Sequence, residues 1–202
     1  MDLVLDEAFL PATLTAPPMT DEEFAALCDE HPDLFFEMTA EGDLIVMPPT
    51  RSRTSARNSE LSRQLSNWAR ADGRGIATDS SGGFVLPDGS RRSPDSAWTL
   101  RTRIGDLSPE SLDGYWHLCP DLVIELRSQS DRLKTLREKM REYIKNGTAL
   151  GWLIDPESRG VEIYRPGRDE AERMENAETV EGEGPVAGFV LDLRTVWDPF
   201  AK

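Results

Sequence analysis

The 202-residue chain is poor in the residues from which many catalytic and metal centres are built, with two histidines, His31 and His117, and two cysteines, Cys28 and Cys119. So few histidines give little support to a His-rich metal site or a Ser-His-Asp triad. The two lone, widely separated cysteines suit buried thiols in a reducing cytoplasm better than a disulfide framework or a zinc site. No run of about 18 apolar residues occurs, which argues against a membrane-spanning helix. The opening MDLVLDEAF lacks the basic start and long apolar stretch of a secretory signal, so a cytoplasmic location is expected. Walker and GxGxxG loops are also missing, and Gly82-Gly83 is too short a glycine signal for phosphate binding.

Basic residues are absent over the first 50 positions, which carry twelve acids. The net charge of −14 argues against loose, non-specific nucleic-acid binding, where phosphate neutralisation dominates. The charge is segregated, however. Residues 51–103 hold ten arginines against five acids, and residues 127–145 hold seven basic residues against three acids. This pattern leaves either a basic face around the middle of the chain or ordinary solvated helix faces.

What is present reads as one α/β domain over 1–202, long enough to bury a core without metal or disulfide staples. Residues 1–18, with three prolines, read as an extended arm. Thr20 and Glu23 form a capping box that opens a helix running to about Asp29. FFEMTAEGDLIVMPPT reads as a hairpin turning at Glu41-Gly42, with Glu37 facing either solvent or a site. A helix over 53–71 carries Leu61, Leu65 and Trp68 at helical spacing and ends at Gly73; its Asn58 and Glu60 read as surface residues. Two short strands follow over 75–86, then a turn at Pro87-Asp88-Gly89 and a strand over 93–100 carrying Asp95. A connector over 101–119 holds a short helix near 108–112. After the strand and helix described next, GWLID and VEIYR form a hairpin. Residues 168–184, acidic and Gly-rich, read as a flexible loop before GFVLDL and a terminal turn around Trp197.

The organising stretch is PDLVIELRSQSDRLKTLREKMREYIKNG, residues 120–147. It reads as a buried strand, a polar loop and an amphipathic helix from Asp131 to about Asn146. Alternation sets Leu122, Ile124 and Leu126 on one face and Asp121, Val123, Glu125 and Arg127 on the other. Burying such charges costs several kcal/mol unless they are paired or hold a metal ion. The helix buries Leu133, Leu136, Met140, Tyr143 and Ile144, and Lys139 flanks that stripe so that its stem can follow the core edge.

The strand bearing Asp95 is close enough in sequence to be a neighbour of the strand bearing Glu125. Two such carboxylates suit a hard divalent cation, Mg²⁺ or Mn²⁺, which prefers oxygen ligands and retains several waters. Such an ion polarises a phosphate and activates a bound water. A nearby cation, Arg127 or Lys139, would offset charge developing in the transition state. Lysine suits the role better if a proton must also be handled.

PDSAW, PDLVIELRSQSD, REKMREYIKNG, GWLIDP and VEIYRPG occur here in an order that resembles the Uma-two family, in particular its cyanobacterial-type branch, a family of restriction-endonuclease-like proteins. The likeness extends upstream through RNSELSRQLSNW and DSSGGFVLPDGS and downstream to GFVLDL, covering roughly residues 20–197. It implies a fold of the PD-(D/E)XK nuclease superfamily, a mixed central β-sheet flanked by helices, and metal-dependent cleavage of DNA. It maps the PD acid to Asp95 and the second acid to Glu125, and it matches Glu37 to an acidic position that assists metal or water. The superfamily lysine two residues after the glutamate is here Arg127, a departure. The resemblance implies that Lys139, on the next helix, replaces it. Gln129 stands where relatives carry proline. Because duplex cleavage needs a site for each strand, a homodimer is expected. The alternative is an inactive nuclease-fold module that binds DNA or protein; an acid-rich phosphohydrolase would need an enclosed pocket.

Overall fold

The computed structural model describes residues 10–201. The part of the expected N-terminal arm over residues 1–9 therefore lies outside the described residues. The rest of the arm is extended, and its β1 (Ala12–Thr15) pairs antiparallel with β3 (Asp43–Met47). Between them lie α1 (Asp21–Glu30) and β2 (Phe35–Met38), which forms a hairpin with β3. The capping box forms as expected: the Thr20 hydroxyl accepts the Glu23 amide, and the Glu23 carboxylate accepts the Thr20 amide.

Helix α2 (Ser52–Asp72) buries Leu61, Leu65 and Ala69 and stops at Gly73, whose φ of 75° closes the helix. Strand β4 (Gly75–Asp79) follows, then β5 (Phe84–Val85), β6 (Arg91–Arg92) and β7 (Ser96–Leu100). Gly75 is required by packing, because a Cβ there would fall 2.1 Å from the Trp98 ring. The connector holds two short helices, α3 (Arg101–Ile104) and α4 (Pro109–Asp113). Then come β8 (Leu122–Leu126), α5 (Leu133–Lys145) and the hairpin of β9 (Leu150–Asp155) and β10 (Gly160–Tyr164).

The segment read as a flexible loop, 168–184, instead contains β11 (Glu172–Glu175), paired with β10, and β12 (Thr179–Glu181), paired with β13 (Val190–Asp192). Its charges lie on the exposed side of these strands, while Val180 is buried and Met174 packs on the core. Helix α6 (Arg194–Trp197) follows. The loop reading weighed charge content over this alternation.

The architecture is mixed α/β, with a central mixed sheet flanked by helices. The central sheet has the order β11-β10-β9-β8-β7-β4, and only β8 and β9 are parallel, joined through α5. A second sheet, β1-β3-β2-β6-β5, is antiparallel throughout and packs on α1. One face of the central sheet buries Leu122, Ile124, Trp98 and Trp152 beneath α2 and the C-terminal segment. The other face packs Val123 and Leu153 against Met140 and Tyr143 of α5. The seam between this second face, α5 and the smaller sheet is where the charged side chains collect.

Candidate active site

Glu125 sits in the middle of this seam because β8 alternates. Leu122, Ile124 and Leu126 enter the apolar core, and Val123 and Glu125 face α5. Glu125 is 4% exposed. Its Oε1 takes the Lys139 ammonium at 2.7 Å and the Tyr143 hydroxyl at 3.0 Å. Lys139 and Tyr143 are four residues apart, so one face of α5 presents both groups to the same oxygen.

Asp95 is positioned by the end of a strand ladder. The antiparallel pairing of β7 with β8 begins at Ser96 opposite Ile124, so the chain leaves the ladder at Asp95. The Leu126 amide then has no backbone acceptor on that side, and the Asp95 carboxylate supplies one at 2.8 Å. The other Asp95 oxygen accepts the Asn58 amide from α2 at 2.6 Å. Asn58, read as a surface residue from periodicity, is buried and tied to the site.

Glu37 arrives from the other sheet. It is 2% exposed, so of the two orientations left open by sequence it takes the inward one. Both its oxygens are engaged: Oε1 by Lys139 at 2.8 Å and the Ser93 amide at 2.9 Å, Oε2 by Arg92 at 3.2 Å. Arg92 also pairs with Glu142 at 2.6 Å. Lys139 is thus held between Glu37 and Glu125, with its side chain only 13% exposed.

The electrostatics follow from burial. Burial pushes the Glu125 carboxyl up to about 7; Lys139 opposes the rise, and the charges of Asp95 and Glu37 add to it. Burial likewise raises Asp95 against the Leu126 amide. Glu37 behaves oppositely, because Lys139 and Arg92 outweigh its burial and hold it below the usual carboxylate range. Burial alone would lower Lys139, but Glu125 and Glu37 reverse that and raise it, so it stays an ammonium.

Sequence left two points open, the place of Arg127 and the state of the arginine-rich middle. Arg127 lies beyond the end of β8 and turns to β9, where it pairs with Asp155 at 3.0 Å and Glu157 at 3.4 Å; it makes no contact with Glu125. The arginine-rich middle of the chain is also not a free basic face. Arg63, Arg74, Arg91, Arg92 and Arg103 are each paired with an acid, and Arg57 donates to the carbonyls of Val196 and Trp197.

Sequence expects Glu37, Asp95 and Glu125 to hold a metal ion. Among the described residues no three metal-ligating side chains converge, so Glu37, Asp95 and Glu125 do not form a triple-carboxylate cluster. Asp95 and Glu125 remain as two hard oxygen donors whose carboxyls burial raises, an arrangement that a divalent cation would relieve. Glu125 Oε2 accepts no hydrogen bond from the described residues. The donor set therefore fits one hard cation bound by two carboxylates and completed by water.

Sequence reasoning missed Arg92, Glu142 and the site role of Tyr143. The available signal was Arg91-Arg92 directly before SPD. Adjacent residues of a strand face opposite ways, so two neighbouring arginines demand two separate sets of acids.

Residues 21–194 match the Uma2 family, described as "Putative restriction endonuclease", and the chain belongs to that family. Membership supports a nuclease-type function, and nucleases of this kind generally use divalent metals. A crystal structure of a "putative nuclease belonging to DUF820" from Anabaena variabilis superimposes with a TM-score of 0.72. It shares 23% identity, covering 89% of this chain and 98% of that one, and shows the same fold. A cryo-EM structure of a DrdV–DNA complex overlaps with a TM-score of 0.39 and 19% identity over 62% of this chain and 10% of that one, too slight a likeness to carry an argument. No curated protein matches the chain.

Proposed function

We propose that the protein is a Mg²⁺- or Mn²⁺-dependent endonuclease that hydrolyses DNA phosphodiester bonds, with Asp95 and Glu125 as the metal-holding pair and Lys139 as the catalytic cation. The observation that carries this reading is the seating of Lys139, on the helix after the acidic strand, 2.7 Å from Glu125. A divalent ion there supplies Lewis-acid polarisation of the phosphate and a bound water of lowered pKa. Lys139 stays charged and sits where negative charge would build on the phosphate oxygens. Glu37 and Arg92 act through Lys139, fixing the ammonium rather than touching substrate. Arg127, engaged by Asp155, is not the superfamily lysine's replacement in this reading.

The same reading places the chain in the cytoplasm as a homodimer with one site per strand. No helix of the described residues is long and apolar enough to cross a membrane. Plasmid cleavage with Mg²⁺ and with Mn²⁺ tests the reading. Wild type should nick or linearise DNA, and Asp95→Asn and Glu125→Gln should each lose at least about a hundredfold of that activity. Intact plasmid with either metal would sink it.

One observation favours a second reading, a nuclease-fold module that binds without cutting: Lys139 and Tyr143 both occupy Glu125 Oε1, and the third ligand is missing. The two readings part over Mn²⁺, which should raise the melting temperature only if the pair binds it.

A further inference from the structure

A groove of about 480 Å³ runs between α2 and β4, beside Asp95 but outside the charged seam. Along α2 it is lined by Ser55, Asn58, Ser59, Ser62 and Ser66, and across from them by Asp79. These α2 residues fall at helical spacing on one face, beside the apolar stripe of Leu61 and Leu65. Ser62 meets Ser96 at 3.0 Å, and Asn58 meets Asp95 at 2.6 Å, so the groove opens onto the start of β7 where the candidate site begins.

Asn58 is 9% exposed and lines the groove. Its amide nitrogen serves Asp95, but its Oδ1 is buried with no hydrogen-bond partner among the described residues. An orphaned buried acceptor is costly in a protein interior and points to a donor that arrives with a ligand. The groove is open rather than enclosed, which fits an extended ligand better than a small molecule. From Ser55 to Ser66 it follows α2 for roughly 16 Å at 1.5 Å per residue. That length accommodates several nucleotides at about 3.4 Å of duplex axis each.

We propose that this serine-lined groove is the track along which a DNA strand lies as it enters the Asp95–Glu125 site. The proposal rests on the nuclease reading above and deepens it by naming where the substrate is held. Serine hydroxyls donate to phosphate oxygens, and small side chains let the sugar-phosphate backbone approach α2 closely. A base amino group or a strand-borne water supplies the donor that Asn58 Oδ1 lacks. The charges of the groove do not favour a phosphate: Arg63, which lines it, is paired with Glu60, and Asp79 brings an acid to the opposite wall. Hydrogen bonding and shape therefore replace the cationic contacts that a chain of net charge −14 does not offer, and binding through this groove has a shallow salt dependence.

The test is fluorescence anisotropy of a labelled DNA duplex and its single strand, with full-length protein in EDTA and in Ca²⁺. Ser59→Glu and Ser66→Glu place a carboxylate in the groove at exposed positions. Asn67→Glu places the same charge on α2 at an exposed residue that does not line it. The expected result is wild-type binding weakened about tenfold or more by each serine variant and within about twofold of wild type for Asn67→Glu, with thermal melts of all three unchanged. Equal weakening by all three variants, or serine variants that bind like wild type, would overturn the groove while leaving the nuclease reading standing. Wild type that binds neither DNA form would overturn both.

Discussion

The two faces of β8 are built from alternating residues of one five-residue strand and obey opposite rules. On one, Ile124 and its neighbours meet Trp98, Trp152 and the apolar side of α2, with no charge among them. On the other, Glu125 lies in a buried assembly with Asp95, Glu37, Lys139, Arg92 and Tyr143. The first face contributes stability through burial and dispersion. The second holds three carboxyl groups against two basic side chains; burial raises Asp95 and Glu125, while Lys139 and Arg92 hold Glu37 low. A surplus of buried carboxyl groups beside a fixed ammonium is a poor way to stabilise a fold, and under the proposed reading it is a cation site.

The comparison breaks most sharply at Lys139. Lys139→Met removes the only cation that touches Glu125 among the described residues, and DNA cleavage should fall by about a hundredfold or more. Arg127→Gln, two residues after Glu125 and paired with Asp155, should leave cleavage within a few-fold. Equal losses in a gel-based rate assay would return Arg127 to the site.

On the apolar face the largest effect is on stability. Ile124→Ala should cost about 2–5 kcal/mol in urea unfolding, because the residue is fully buried between two tryptophan-bearing strands. Glu125→Gln, one position along, should cost far less and above neutral pH should stabilise the chain. A loss as large as that of Ile124→Ala would mean that the ion pair carries the fold.

The smallest effect is a slope. The folded carboxyl of Glu125, at about 7, lies above its ordinary value of 4.5, so between those values the native state binds more protons than the unfolded state. The contribution of Glu125 to stability therefore declines as pH rises from about 4.5 to 7 and stays low above that. Glu125→Gln should flatten this part of the stability profile, and Mn²⁺ should flatten it in wild type by stabilising the ionised form. A wild-type profile that rises through the same window, and is unaffected by Glu125→Gln, would contradict the assignment.

Much of the fold could be read from short-range pattern. The capping box at Thr20, the glycine stop of α2, the hairpin at Gly42 and the alternation of β8 all express interactions within a few residues, and each appears where its pattern indicated. The loop expected over 168–184 failed because its charges were weighed above its alternation. In the site, Asp95, Glu125 and Lys139 stood out because a strand, a neighbouring strand and the following helix must bring them close. Asn58 and Arg92 did not, because their acidic partners lie 37 and 50–55 residues away on other elements.

Sequence by itself determined the alternation of β8 and the apolar stripes of α2 and α5, and so that Glu125 leaves the face of Ile124 and Leu126 and needs a partner or an ion. Only the tertiary structure decided the pairings. It seated Lys139 on Glu125 and Glu37, sent Arg127 to Asp155, and paired Arg91, Arg92 and Arg103 with acids from distant segments. The physical reason is range: side-chain direction follows from local backbone geometry, whereas the partner of a buried charge depends on which remote element the packing of the core brings within about 3 Å of it.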